Sequence, residues 1–123
     1  MVQQHSISDM QGDTDPKLME FLREKVNTFV RWDLIRFFHD NAHAMDTAEN
    51  IAHYIGRDVR PVEAELLGLV EDKVLKLNQT ANVKVFALSS DPAIREVVNR
   101  FVLACDDRQF RVKAINQVIR GMS

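Results

Sequence analysis

The stretch that decides the fold runs from residue 46 to residue 70, DTAENIAHYIGRDVRPVEAELLGLV. Ala48, Ile51, Ala52 and Ile55 recur at the three- and four-residue spacing of one helix face. Asp46 and Glu49 stand at the spacing of a capping box, and Met45 is placed as the hydrophobic staple in front of it. Gly56 follows the last apolar position, where a left-handed residue closes a helix without steric cost. Asp58 is then a candidate cap for a second helix, with Pro61 in its first turn and Val62, Leu66, Leu69 and Val70 as its apolar series. Two short helices joined across a tight glycine turn predict a helix-turn-helix.

The flanking sequence extends this pattern in both directions. Upstream, Phe29, Val30, Leu34, Phe37 and Phe38 predict a helix that opens at a break near Asn27-Thr28 and ends near Asp40-Asn41. Before it, Asp15-Pro16 is an acid cap followed by proline, and Leu18, Met19, Leu22 and Val26 form the stripe of an N-terminal helix. Residues 1–14 are polar and aperiodic, which predicts an unstructured lead-in. Downstream, residues 74–77 (VLKL) and 83–88 (VKVFAL) predict two strands around a turn-rich segment, residues 78–82. Asp91-Pro92 restarts helix with Ile94, Val97, Val98, Phe101, Val102 and Cys105 on its apolar face. Asp106-Asp107 caps a last helix carrying Phe110, Ala114, Ile115, Val118, Ile119 and Met122, with Gly121 at its end. The predicted class is α+β, mainly helical with a small β-hairpin.

Composition bounds what such a chain does. With 123 residues, 46% hydrophobic and 28% charged, one compact domain is expected. Sixteen Lys and Arg against eighteen Asp and Glu leave a net charge of −2, so neither a strongly basic coat nor an acidic tail is present. No apolar run is long enough to span a bilayer, and no membrane partner is expected. The opening MVQQHSISDMQGDTD lacks the basic start and apolar run of a secretory signal. Cys105 is alone and forms no disulfide within the chain. Together these features predict a cytoplasmic protein.

The order helix, helix, turn, helix, hairpin, helix resembles the winged helix-turn-helix domain of prokaryotic transcriptional regulators. The resemblance is carried by residues 29–88: WDLIRFF as first helix, DTAENIAHYIG as second, RDVRPVEAELLGLVEDKVL as recognition helix with its exit, and VKVFALS as return strand. Residues 15–28 and 89–123 resemble the helical extensions with which many such regulators dimerise. The resemblance implies double-stranded DNA as partner, with the recognition helix in the major groove and the wing against the backbone or minor groove. Carried onto this chain, the groove-facing candidates are Arg57, Arg60, Pro61, Glu63, Ala64 and Leu67, and the wing candidates are Lys76, Asn78, Gln79, Thr80, Asn82 and Lys84. It also implies a homodimer, with Leu18, Leu22, Val26, Leu67, Phe110, Ile115 and Val118 as expected interface residues. No cofactor or metal is implied.

Charge placement runs against strong DNA binding. Between Met45 and Leu75 stand seven acids (Asp46, Glu49, Asp58, Glu63, Glu65, Glu71, Asp72) and three bases (Arg57, Arg60, Lys73), a net of −4. Phosphate neutralisation supplies most nonspecific affinity. A carboxylate such as Glu63 accepts from cytosine but is repelled by the backbone. Leu67, Gly68 and Val70 also extend the apolar surface of the recognition helix. The second reading is therefore a winged-helix protein-interaction module without DNA contact. From Arg108 onward there are four bases (Arg108, Arg111, Lys113, Arg120) and no acid, which reads as a solvated helix face or as a contact for phosphate or an acidic partner.

The remaining constellations are weak. His39, Asp40 and His43 have a spacing that two metal ligands share, but no second ligand cluster accompanies them. Cys105 lies on the stripe of Val98, Phe101 and Val102, which predicts a small buried hydrophobe rather than a redox sensor. No nucleophile signature or phosphate-cradling glycine loop occurs, so no enzyme is expected.

Overall fold

The computed structural model describes residues 15–122; the expectation for residues 1–14 lies outside them. Among the described residues the chain forms α1 (Pro16–Lys25), α2 (Phe29–Asp40), β1 (Met45–Asp46), α3 (Ala48–Ile55), α4 (Val59–Glu71), β2 (Leu75–Thr80), β3 (Val83–Leu88), α5 (Pro92–Ala104) and α6 (Arg108–Gly121). The class is α+β, mainly helical with a small antiparallel sheet of strand order β1-β3-β2. Among the described residues no helix is long and apolar enough to cross a membrane.

Local chemistry sets most helix boundaries. Asp15, Asp91 and Asp107 each accept a hydrogen bond from the backbone N–H two residues on, at 3.0, 2.9 and 3.1 Å. In the first two, proline follows, its missing N–H costing nothing at the first helical position. Thr28 Oγ1 accepts from Arg31 N at 3.1 Å and opens α2. Gly56 closes α3 at φ +71°, as its position requires. Helix α4 closes in the same way without a glycine. Val74 N donates to the Leu69 carbonyl at 2.9 Å and Lys73 N to the Val70 carbonyl at 3.0 Å, with Lys73 held at φ 69°.

Three local expectations are corrected. The cap of α3 is Thr47, whose side chain accepts from Asn50 N at 3.3 Å, and not Asp46. Residues 45 and 46 instead form β1, bridging Ala87 and Phe86, so their backbone is extended and Met45 is 55% exposed rather than stapled. The hairpin turn is also shorter than the polar run suggested. β2 continues to Thr80 opposite Val83, leaving Ala81-Asn82 as a two-residue loop with Ala81 at φ 55°.

The core gathers Leu34, Ile35 and Phe38 of α2, Ile51 of α3, Val62, Leu66 and Leu69 of α4, and Phe86 of β3, all buried. Phe101 of α5 joins this core to the terminal helices. Its ring lies 5.2 Å from Trp32 and 6.4 Å from Phe110, both edge-on, and 6.0 Å from Phe21. Such pairs contribute about 0.5–1.5 kcal/mol each beyond the area they bury. The terminal helices thus pack within their own chain, α5 onto α2 and α1 against both α5 and α6.

One buried charge fixes α4 against α2. Arg31 is 8% exposed; its Nε donates to Glu65 at 2.8 Å and its Nη1 to Asp72 at 2.7 Å and to the Lys25 carbonyl at 3.3 Å. Burial works against the charged guanidinium, but the bonds and attraction from Glu65 and Asp72 outweigh it, so its pKa is raised. The planar fork lies across Gly68, where a Cβ would collide with Nη2. Gly68 therefore sits in mid-helix at a cost of about 1 kcal/mol relative to alanine, because only a bare backbone admits the arginine.

This arrangement sets a sign test. In urea denaturation, Arg31→Ala is expected to lower stability by about 2–3 kcal/mol, since it strands two partly buried carboxylates. Gly68→Ala is expected to destabilise the wild type yet stabilise the Arg31→Ala background by about 1 kcal/mol. Equal stabilisation of both backgrounds would show that Arg31 is not the reason for the glycine.

Candidate functional site

Helix α4 turns one stripe outward, and the groove-facing candidates divide between it and other surroundings. Arg60, Glu63 and Ala64 are exposed on that stripe, followed by half-buried Leu67. Arg57 belongs to the turn before α4 and donates from Nε to Asp33 Oδ2 of α2 at 2.6 Å. Its charge is therefore already matched within the chain. Pro61 is exposed in the first turn of α4.

Hairpin register separates the other candidates by face. Side chains alternate along a strand, so pairing Leu75 with Leu88, Leu77 with Phe86 and Gln79 with Lys84 places these six on the core side. Lys76, Asn78 and Thr80 occupy the opposite face, and Lys76 Nζ donates to Ser90 Oγ at 2.7 Å. Lys76 and Asn78 therefore do not join Lys84. Lys84 instead lines a cleft of about 320 Å³ with Glu63 of α4, Thr47 and Glu49 at the start of α3, and Asn82 and Phe86 of the hairpin. Glu63, Asn82 and Lys84 are the sequence-derived candidates that this cleft unites. Glu49 was not among them, because its exposed position in a first helical turn reads equally well as a dipole partner.

The acid excess of this region is redistributed by packing. Glu65 and Asp72 face Arg31 on the inner side of α4, and Lys25 Nζ approaches Asp72 at 4.0 Å. Asp46 accepts from Thr47 N at 2.8 Å and from Asn50 Nδ2 at 2.7 Å. Glu49, Asp58, Glu63 and Glu71 remain exposed, together with Arg60 and Lys73. The outward surface is thus closer to neutral than the linear count of −4 implies. The apolar patch expected at Leu67, Gly68 and Val70 is half-buried: the two apolar side chains pack against the core and Arg31 covers the glycine.

The expected dimer seam is corrected more broadly. Leu18, Leu22, Val26, Phe110 and Val118 are each no more than 2% exposed and belong to the chain's own core. Leu67 and Ile115 are partly buried against it. The physical reason is the Phe101 hub, which draws the stripes of α1 and α6 inward.

Other surfaces carry less chemistry. Phe37 and Tyr54 stack at 6.0 Å and 12°, and with Met45 and Asn41 they line a shallow aromatic depression that the sequence did not signal. His39 bonds Asp40 at 3.0 Å and Asn99 Oδ1 at 2.9 Å, linking α2 to α5. Among the described residues no group of three or more His, Cys, Asp or Glu is placed to hold a metal ion. Cys105 is buried, and desolvation pushes its thiol up to about 11 despite the opposing pull of Arg36 and Arg111.

Comparison with protein-family models, curated proteins and solved structures finds no match to this chain.

The Cys105 environment predicts alkaline sensitivity. An unfolded thiol titrates near 9 and the folded one near 11, so between these values the unfolded chain releases a proton that the folded chain keeps. Stability therefore falls as pH rises through that window. Urea titrations at pH 8 to 11 are expected to give a shallower fall for Cys105→Ala than for the wild type. Native Cys105 is also expected to resist iodoacetamide at pH 8. Rapid alkylation of the folded chain would contradict this burial.

Proposed function

We propose that this chain is a winged-helix regulator that binds double-stranded DNA through α4 and the β2–β3 hairpin. The observation that supports it most is topological. The order α2, β1, α3, α4, β2, β3, with strand order β1-β3-β2 and a glycine turn between α3 and α4, resembles that of a winged helix-turn-helix and so supports this reading. In this reading α4 enters the major groove with Arg60, Glu63 and Ala64 toward the base edges. Lys84, beside Glu63 in the cleft, reaches the flanking backbone. Arg57 positions the turn through Asp33 instead of contacting phosphate.

With few cations on an outward face that keeps a small acid excess, the binding is weak and its salt slope shallow. A second reading, a winged-helix module that docks on protein alone, is favoured by one specific observation: two exposed carboxylates, Glu49 and Glu63, border the cleft against the single lysine.

Fluorescence anisotropy with a labelled mixed-sequence duplex at about 50 mM salt separates the two. The expected result is measurable binding that Arg60→Ala and Lys84→Ala each weaken, reducing the salt slope by about 1 apiece. Glu63→Gln is expected to strengthen it. No binding by either the wild type or Glu63→Gln would leave the protein-docking module, and binding indifferent to Arg60 and Lys84 would remove α4 and the hairpin from the DNA contact.

A further inference from the structure

Where α2, β1 and α3 meet, the surface holds a depression of about 540 Å³ lined by Phe37, Asn41, Ala44, Met45, Asp46 and Tyr54. Its aromatic wall is anchored in the core. Phe37 lies edge-on to fully buried Phe38 at 5.1 Å, and the Tyr54 ring stacks with Phe37 at 6.0 Å and 12°. Tyr54 and Met45 nevertheless stay largely open to solvent. One charge lines the depression, the half-buried Asp46. Its Oδ1 accepts both from Thr47 N, at 2.8 Å, and from Asn50 Nδ2, at 2.7 Å, whereas its Oδ2 meets no donor among the described residues. None of the lining residues is a cation. The adjoining hollow, which shares Phe37 and Asn41, contains Arg36, but Asp33 and Asp40 accompany it there.

We propose that this depression binds a small organic ammonium ion, a protonated amine carried on an apolar or aromatic body. Charge complementarity selects that class. The negative face of an aromatic ring attracts a cation, and the same rings and Met45 offer apolar surface to the body that carries it. Asp46 adds the counter-charge and, through Oδ2, an acceptor for an N–H donor. An anion would meet this carboxylate with no lining cation to offset it. The volume falls in the range of about 300–1,000 Å³ in which small molecules are held. An extended peptide fits less well, because β1 is an edge strand of only two residues and offers too short a ladder for another strand to add. The site is also largely formed in advance: Phe38 backs Phe37, and the two Oδ1 bonds orient Asp46.

This inference uses neither Arg60, Glu63 nor Lys84 and does not depend on the DNA reading. Titration of the full chain with phenethylamine hydrochloride, read by heteronuclear NMR at constant ionic strength and neutral pH, tests it. Saturable shifts of the Met45, Asp46 and Tyr54 amides are expected, with a dissociation constant of about 1 mM. Phenethyl alcohol, of nearly the same shape but uncharged, is expected to bind about tenfold more weakly. Asp46→Asn keeps an oxygen for Thr47 and Asn50, and so the local fold, yet should bring amine and alcohol to the same affinity. Tyr54→Leu, at an exposed position, is expected to weaken the amine about threefold or more. Glu96→Gln removes an equal charge from the exposed face of α5 and is expected to change nothing. Equal binding of amine and alcohol by the wild type, an amine preference that survives Asp46→Asn, or no saturation by about 20 mM would overturn the proposal. Weakening by Glu96→Gln as large as that by Asp46→Asn would overturn it too, since the amine would then be drawn by overall charge and not by this site.

Discussion

The orientation of α4 depends on one buried guanidinium. Arg31 reaches from α2 to Glu65 and Asp72, near the middle and end of α4, while its third bond returns to the Lys25 carbonyl at the end of α1. A buried cation is costly to desolvate, and the arrangement is sustained because its donors are met by acceptors from three directions. The same requirement explains Gly68. It also turns two carboxylates inward that would otherwise stand with the outward acids. Packing and surface charge are set here by a single side chain.

Much of the helical order was legible because its signals are local. Asp15, Asp91 and Asp107 cap where acids precede helical stripes, and Gly56 ends α3 where an αL residue is required. What escaped reading is nonlocal or too short to have a period. Arg31 looks like any cation on an amphipathic helix, since its partners lie 34 and 41 residues away. A two-residue strand such as β1 has no alternation to detect, and it displaced the cap by one position because Asp46 and Thr47 are both competent caps. Lys73 and Ala81 hold left-handed geometry without glycine, so the close of α4 and the two-residue turn were masked.

The candidate site was legible to a smaller degree. Composition located cations and acids along the chain, but facing is decided by register and pairing. One strand pairing places Lys84 in the cleft and Lys76 on the far side, and one ion pair removes Arg57 from the outward set. Apolar stripes on α1 and α6 announced burial without naming what buries them. Phe101 supplies the answer for the inner stripes, since three aromatic contacts tie both helices to their own core.

The clamp on the inner side of α4 leaves its outer side without structural duty. Arg60, Glu63 and Ala64 make no contact on which the pose of the helix rests, whereas Glu65, Gly68 and Asp72 do. Recognition and architecture are therefore written on separate residues of one helix. A lineage carrying this fold is free to rewrite the outward letters, one at a time and at little cost in stability, while the mount that presents them stays the same.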